Sequence, residues 1–232
     1  MVGDKYVITS AHCTVGYDPS GLFVQLGDTS LDTNQEVASF TKAVSRIINH
    51  PNYNTQTVAN DISILVLASR ISLTDYPNIK PACLPASGAV FPGEAIVTGW
   101  ATVGYGSYAN SWLHEVGVTI FADGNCGSWN NWMTDDMICA GLMEGGKDAC
   151  YGDIGGPLVV ADPAQNNAMT LAGVASFGGC GDSLGIYSEV SHNINWARNQ
   201  MTNLQTCSPG SGSGSPNPPP SPPPTPPSAG SK

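Results

Sequence analysis

The stretch Asp148-Ala149-Cys150-Tyr151-Gly152-Asp153-Ile154-Gly155-Gly156-Pro157 decides the fold of this chain. Two shorter segments precede it, namely Ile8-Thr9-Ser10-Ala11-His12-Cys13 and Asn60-Asp61-Ile62-Ser63-Ile64-Leu65. The three segments present a histidine, then an aspartate, then an acid-rich glycine turn with isoleucine at its centre. Three such segments in a fixed order define a fold far more narrowly than composition does.

In this order the segments resemble the histidine, aspartate and serine boxes of the trypsin/chymotrypsin family of serine proteases, from about Tyr6 to Leu204. The resemblance implies an all-β fold of two antiparallel six-stranded β-barrels with the site between them, followed by a C-terminal helix. Family members carry two strands before the histidine box, whereas His12 comes almost at once here. We therefore expect a truncated first barrel and an amino-terminally incomplete or mis-started chain.

The hydrophobic pattern predicts a β protein without any reference to the family. Short apolar or alternating runs are separated by Gly, Asn, Asp and Pro, which is typical of strands joined by turns. A single helix is predicted over Ser191–Leu204, with Ser191 as its N-cap. The predicted strands are Tyr6–Thr9, Phe23–Leu26, Val37–Ile48, Ile62–Leu67, Ala95–Gly99, Glu115–Phe121, Met137–Ala140, Leu158–Val160, Thr170–Phe177 and Ile186–Val190.

The composition divides the chain into a protease-like domain over residues 1–207 and a Ser/Pro-rich tail over residues 208–232. The tail has almost nothing apolar to bury, so we expect it to be disordered and locally polyproline II. It resembles the Ser-Pro modules of plant and green-algal wall glycoproteins. Binding to cell-wall or extracellular-matrix material and a solvated tail without a partner both stay open.

Charge and cysteine content limit the possible functions. Eighteen acidic against eight basic residues give a net charge of −10, which argues against nucleic-acid binding because that requires a basic surface. No apolar run is long enough for a membrane span, and the first 20 residues contain no signal-peptide core. Seven cysteines without metal-site spacing indicate disulfides and therefore an extracellular or secretory-pathway location.

The resemblance assigns the catalytic roles of proton acceptor and orienting carboxylate to His12 and Asp61. Ile154 occupies the place of the nucleophilic serine, and a hydrocarbon side chain can neither attack a carbonyl nor give a proton to His12. Ser176 matches a structural serine near the triad and does not replace the nucleophile. Loss of one triad member leaves only about 10³–10⁴-fold catalysis over water.

The same resemblance predicts a ligand-binding apparatus around this position. Gly152 and the backbone N–H of Ile154 match the oxyanion hole, because that donor is main chain. Asp148 matches the carboxylate at the base of a pocket for lysine or arginine. The other predicted substrate-binding residues are Ser176, Phe177, Gly178 and Gly185. Asp153 matches the activation carboxylate, which pairs with a new amino terminus after zymogen cleavage.

The cysteines follow the family register. Cys126 with Cys139, and Cys150 with Cys180, match two family disulfides. A third bridge is missing at both ends, where Ala95 and Val160 stand. We expect Cys13 and Cys83 to lack partners because of the short amino terminus, although a Cys83–Cys207 bridge stays open.

These observations favour a non-catalytic serine protease homologue, a binding or regulatory protein whose ligand is a peptide or protein that presents Lys or Arg. No cofactor or metal is expected, and we interpret Asp28, Asp32 and Glu36 as solvated acids rather than a calcium site. The alternative is a trypsin-like endopeptidase that cleaves after Lys or Arg, with a truncated or erroneous gene sequence. A third hypothesis is a wall-associated structural protein whose tail sets its location.

Overall fold

The computed structural model describes residues 1–32, 39–101, 111–121, 124–146, 148–178 and 180–204. The described residues up to Leu67 supply a four-stranded antiparallel sheet in the order β1-β4-β3-β2. The sheet is open, as expected for a barrel without its first strands, and its members are β1 (Tyr6–Thr9), β2 (Phe23–Leu26), β3 (Phe40–Asn49) and β4 (Ser63–Leu67).

The second half of the chain forms a closed antiparallel barrel, as the resemblance implies. Its strands follow one another around the barrel in the order β10-β7-β6-β5-β8-β9. They are β5 (Gly93–Gly99), β6 (His114–Ile120), β7 (Met137–Gly141), β8 (Pro157–Asp162), β9 (Ala168–Gly178) and β10 (Gly185–Glu189). Short 3₁₀ helices lie at Pro19–Gly21, Gly127–Trp129 and Pro163–Gln165.

One apolar cluster joins the two halves. Ile62 and Ile64 at β4 are fully buried, and they belong to the same cluster as Val174 of β9 and Ile194 of the C-terminal helix. Burial of each such side chain stabilises the fold by about 1.5–3 kcal/mol. The near-continuous apolar run around β4 therefore holds the open sheet against the barrel. This packing fixes the positions of the loops that lie between the sheet and the barrel.

The C-terminal helix α1 spans Val190–Gln200, so it starts one residue earlier and ends four residues earlier than predicted. Ser191 is not its N-cap. Glu189 holds the N-cap position, while the Ser191 hydroxyl lies inside the first turn and donates to the Glu189 carboxylate at 2.6 Å. Among the described residues, no helix combines the length and the apolar character needed to cross a membrane.

Candidate active site

The turns beside β1 and β4 bring a histidine and an aspartate together. Thr9 at the end of β1 pairs with Ser63 at the start of β4, so the residues just outside the two strands are neighbours. Asp61 is buried and accepts two hydrogen bonds from His12, one from the backbone N–H at 2.8 Å and one at the ring Nδ1 at 2.7 Å. The register of two strands therefore positions this pair.

Ser176 completes the surroundings of the carboxylate. Its hydroxyl donates to Oδ2 of Asp61 at 2.5 Å, within the buried part of β9. The structural and substrate-binding roles of Ser176 stay predictions. Three donors around one buried carboxylate hold it in one position.

The imidazole of His12 is strongly biased towards its charged form. Its pKa is raised to about 10, first by the hydrogen bond to Asp61 and then by a hydrogen bond with the thiol of Cys13. The Asp61 contact also fixes the ring orientation, which leaves the other ring nitrogen directed away from the carboxylate. Such a histidine can orient and exchange a proton at the cleft.

Ile154 lies in the turn that precedes β8, next to the histidine loop. Its carbonyl oxygen is 3.9 Å from Sγ of Cys13, and its residue contributes to the lining of a cavity of about 360 Å³. The side chain is partly buried. The structure therefore places Ile154 in the lining of a cavity, with its backbone next to the loop that carries His12 and Cys13.

Two backbone N–H groups in this turn have no acceptor among the described residues. Gly152 has φ of +106°, a conformation that glycine adopts readily and that L side chains rarely do. Within the described part of the chain, neither the Gly152 N–H nor the Ile154 N–H donates a hydrogen bond. Two free donors in one turn are able to hold a carbonyl oxygen or an anion.

Asp148 does not itself line this cavity, but its carboxylate lies against Tyr187 and Gly185, which do. Its Oδ1 accepts from the Ala149 N–H at 2.7 Å and from the Tyr187 hydroxyl at 3.4 Å, while its buried Oδ2 has no hydrogen-bond partner among the described residues. Burial raises the pKa of the Asp148 carboxyl to about 6. A partly desolvated carboxylate with a free oxygen is able to bind a cation.

Two glycines that line the cavity have no space for a side chain. A Cβ at Gly178 would lie 2.6 Å from the Gly185 Cα, and a Cβ at Gly185 would collide with the Asp148 carboxylate. Glycine at these positions therefore lets β9 and β10 approach and leaves space for the carboxylate. Phe177 is the neighbour of Gly178 on β9, and both residues line the cavity.

Two aromatic residues of the cavity were missed by the sequence reasoning. Tyr187 is fully buried and contacts Asp148 through its hydroxyl, and Trp129 packs edge-on against Phe177 with ring centroids 5.5 Å apart. Tyr187 lies in a predicted strand, but the alternation of apolar and polar residues along that strand does not show that its hydroxyl donates to Asp148. Trp129 lies on the 3₁₀ helix Gly127–Trp129, far in sequence from Phe177, and no pattern around it predicts a contact with the cavity.

Asp153 has backbone partners. Its Oδ1 accepts from the Ala101 N–H at 3.0 Å, and its Oδ2 accepts from the Cys150 N–H at 3.1 Å. Gly99 leaves the space that the carboxylate occupies, because a Cβ there would collide with it. No lysine or arginine among the described residues pairs with Asp153. Its activation role stays a prediction.

The disulfides confirm most of the cysteine register. Cys126 is bonded to Cys139, and Cys150 is bonded to Cys180. Cys13 is free, as expected. The expectation that Cys83 lacks a partner is wrong, because Cys83 is disulfide-bonded. Cys207 and the tail over residues 208–232 lie outside the described residues.

The two positions that lack the third family disulfide face each other in the barrel. Ile96 pairs with Val159 and Val97 with Leu158 across β5 and β8, which places Ala95 opposite Val160. Both side chains are buried in the barrel core. The two positions where the family bridge is absent are therefore neighbours, as the register predicted.

Of the acids interpreted as solvated, Asp28 precedes and Asp32 follows the β-bridge between Ser30 and Trp112. Oδ1 of Asp28 is buried and has no hydrogen-bond partner among the described residues, so this oxygen is not solvated. Asp32 accepts a hydrogen bond from the Ser111 hydroxyl. Glu36 lies outside the described residues. Within the described ranges, no group of three or more His, Cys, Asp or Glu side chains is arranged to hold a metal ion.

Comparison with known proteins fits the fold and the geometry. A sequence model of the family described as Trypsin matches residues 1–197. The chain belongs to the trypsin family. It is 40% identical over 206 residues to Trypsin-1 of Astacus astacus, covering 85% of this chain and 84% of that relative.

Further relatives support the same membership. The trypsin-family chain is 33% identical to Trypsin of Sus scrofa, with 84% of this chain and 81% of the relative covered. It is 31% identical to Serine protease 1 of Rattus norvegicus, with 84% and 76% covered. The resemblance that the three boxes carry therefore extends over the folded part of the chain.

Proposed function

We propose that this chain is a non-catalytic member of the trypsin family that binds peptides or proteins through an exposed lysine or arginine side chain. The observation that carries the proposal is the contrast between Ile154 and its surroundings. The site retains the His12–Asp61 pair, two free backbone donors and a buried acid, yet it has a hydrocarbon where a nucleophile is needed.

Chemistry at Ile154 supports the absence of catalysis. An acyl-enzyme requires a nucleophile with a lone pair and a proton that His12 can remove. The sec-butyl group has neither, and Ile154 is one of the residues that line the cavity. Binding does not require that step, because the cavity and the carboxylate of Asp148 do not depend on a hydroxyl at position 154.

The free Oδ2 of Asp148 supports selection of a basic side chain. A guanidinium or ammonium group that reaches Asp148 from the cavity would supply a partner for this oxygen, which has none among the described residues. The attraction between opposite charges is stronger at a partly desolvated site than on the exposed surface, because water screens it less there. An acidic net charge of −10 adds a long-range attraction for basic ligands.

We also propose an extracellular or secretory-pathway location, which the disulfides support because they persist in oxidising compartments. The Ser/Pro-rich composition of residues 208–232 supports attachment to wall or matrix material. Retention of the whole chain on wall polymers, and its loss when residues 208–232 are deleted, would test that attachment.

One observation favours a second candidate, an active trypsin-like endopeptidase. The His12–Asp61–Ser176 network and the free backbone donors are intact, with no decay that matches the change at Ile154. An active gene product would have serine at position 154. Resequencing of codon 154 from the natural transcript decides between these two candidates.

Binding of benzamidine, an aromatic amidine cation, tests the proposal. We expect saturable binding by calorimetry that Asp148→Asn abolishes and that Asp182→Asn, a change at an exposed acid, leaves unchanged. Since protonation of Asp148 near pH 6 removes its charge, affinity should fall about tenfold per pH unit below that value. Equal binding by Asp148→Asn, or a flat pH profile, would contradict the proposal.

A further inference from the structure

Two backbone N–H groups in the turn before β8 are not used by the fold or by a lysine or arginine side chain at Asp148. The N–H groups of Gly152 and Ile154 have no acceptor among the described residues. Ile154 lines the cavity of about 360 Å³, and Gly152 lies two residues before it in the same turn. A backbone N–H is a strong donor, so this turn offers a ligand two hydrogen bonds beside the cavity.

Two glycines determine where this turn lies. Gly152 has φ of +106° and Gly155 has φ of +84°, a backbone region that L side chains rarely adopt. A Cβ at Gly155 would lie 2.4 Å from Oγ1 of Thr9, so the turn packs directly against the end of β1. The two donors therefore have a defined position beside the loop that carries His12.

The charges around the turn favour an acceptor that is negatively charged. The side chain of His12 is 34% exposed, whereas its partner Asp61 is 1% exposed, so the cleft faces the imidazole rather than the carboxylate. The pKa of His12 is raised to about 10, which keeps the ring cationic at neutral pH. Asp153, the acid between the two donors, is bound by the backbone N–H groups of Ala101 and Cys150.

The cavity is thus bordered by a free carboxylate oxygen at Asp148 and by unpaired donors at Gly152 and Ile154. A lysine or arginine at the end of a chain carries a cation on its side chain and a carboxylate on its backbone. An internal lysine or arginine carries the same cation but only a neutral carbonyl.

We propose that the cleft selects peptides and proteins whose C-terminal residue is lysine or arginine, with the terminal carboxylate bound by the N–H groups of Gly152 and Ile154. Capture of a terminal carboxylate by backbone donors is a recurring mode of peptide recognition. The inference rests on the proposed function, since the basic side chain is bound at Asp148, and it names the class of ligand.

The expected selectivity follows from the strength of the hydrogen bonds. A hydrogen bond to an ionised acceptor is roughly twice as strong as one to a neutral acceptor. Water competes at Gly152, which is exposed, so the gain is moderate. We expect a terminal carboxylate to bind about tenfold more tightly than a terminal amide on the same residue.

The test compares Nα-acetyl-arginine with Nα-acetyl-argininamide by calorimetry on the whole purified chain. At about pH 7.5, Asp148 is ionised and His12 is protonated, because their pKa values are about 6 and about 10. The two probes share one guanidinium and differ in the carboxylate alone. In nuclear magnetic resonance spectra of the ¹⁵N-labelled chain, the amide signals of Gly152 and Ile154 should shift more with the acid than with the amide.

Gly152→Ala tests the two donors directly. Alanine rarely adopts φ of +106°, so the turn should reorganise and the preference for the acid should disappear. Gly93→Ala is the matched control, because Gly93 has φ of +97°, space for a Cβ and a place outside the cavity lining. That variant should keep the preference. If Gly152→Ala does not fold, the affinity ratio and the amide shifts of the unaltered chain decide.

The outcomes separate this inference from the proposed function. Equal or weaker binding of the acid, while benzamidine binds and Asp148→Asn abolishes its binding, would overturn the inference and leave the proposed function standing. A preference that Gly152→Ala retains would also overturn it, because the carboxylate would then be held elsewhere. Failure of benzamidine and of both arginine probes to bind would overturn the proposed function and this inference together.

Discussion

The carboxylate of Asp61 binds His12 at two atoms, the backbone N–H at 2.8 Å and the ring Nδ1 at 2.7 Å. This double contact fixes both the loop and the imidazole in one geometry. It persists in a chain whose neighbouring turn carries Ile154, so the arrangement does not depend on a nucleophile. The first consequence is thermodynamic.

The stability of the chain should decrease as the pH rises from 6.5 to about 10. The pKa of His12 is raised in the folded state, so its ion pair stabilises the fold fully below the unfolded pKa and is lost as the folded pKa is passed. Since the ring is partly exposed, we expect a loss of no more than about 2 kcal/mol. Urea unfolding at several pH values measures it, and an equal loss in His12→Gln would refute the cause.

Gly185→Ala should damage both the fold and the cavity. The new methyl group would collide with the Asp148 carboxylate, and such overpacking costs about 1–3 kcal/mol. Gly117→Ala on β6 is the matched control, because a Cβ there meets nothing within 4 Å. Urea unfolding and benzamidine binding should separate the two variants. Similar behaviour of both would show that the close approach at Gly185 is unimportant.

A double substitution, Ala95→Cys with Val160→Cys, should form a disulfide across β5 and β8. Facing residues of an antiparallel pair have Cα atoms about 4.5–5.5 Å apart, which suits a disulfide. We expect about 2–4 kcal/mol of added stability under oxidising conditions, relative to the two single variants. Mass spectrometry detects the bridge. Two free thiols at these positions in the folded protein would contradict the inferred pairing.

Ile154→Ser alone should not yield a fully active protease. The hydroxyl would be restored beside His12, but Asp153 is held by the backbone N–H groups of Ala101 and Cys150, with no described lysine or arginine paired to it. We expect kcat/KM on arginine peptides to stay below about 10⁴ M⁻¹s⁻¹, the lower end of ordinary enzymes. Steady-state assays measure it, and efficient turnover would disprove the role given to Asp153.

The sequence predicted most of the architecture because strands leave a clear periodic signal. Tyr6–Thr9 and Phe23–Leu26 form the strands that were predicted, and most other strand boundaries differ by one or two residues. The exception is β3, which begins at Phe40, three residues after the predicted start at Val37. The helix start was missed because Ser191 has an N-cap side chain but lies inside the first turn. A cap is defined by backbone geometry, which residue type only partly determines.

The candidate site was predictable where its residues sit in contiguous motifs. His12, Asp61 and Ile154 lie in three such segments, and the structure brings their segments together. Tyr187 and the Ser10–Cys13 contact could not be predicted, because they depend on which way side chains point after strands separated in sequence have paired. Distances between non-local side chains have no periodic signature.

The most direct test of the central claim is hydrolysis of a fluorogenic arginine peptide by the purified chain, measured beside its His12→Ala variant. Because Ile154 cannot form an acyl-enzyme, both proteins should release product at the same background rate. Hydrolysis by the unaltered chain that His12→Ala abolishes would contradict the account.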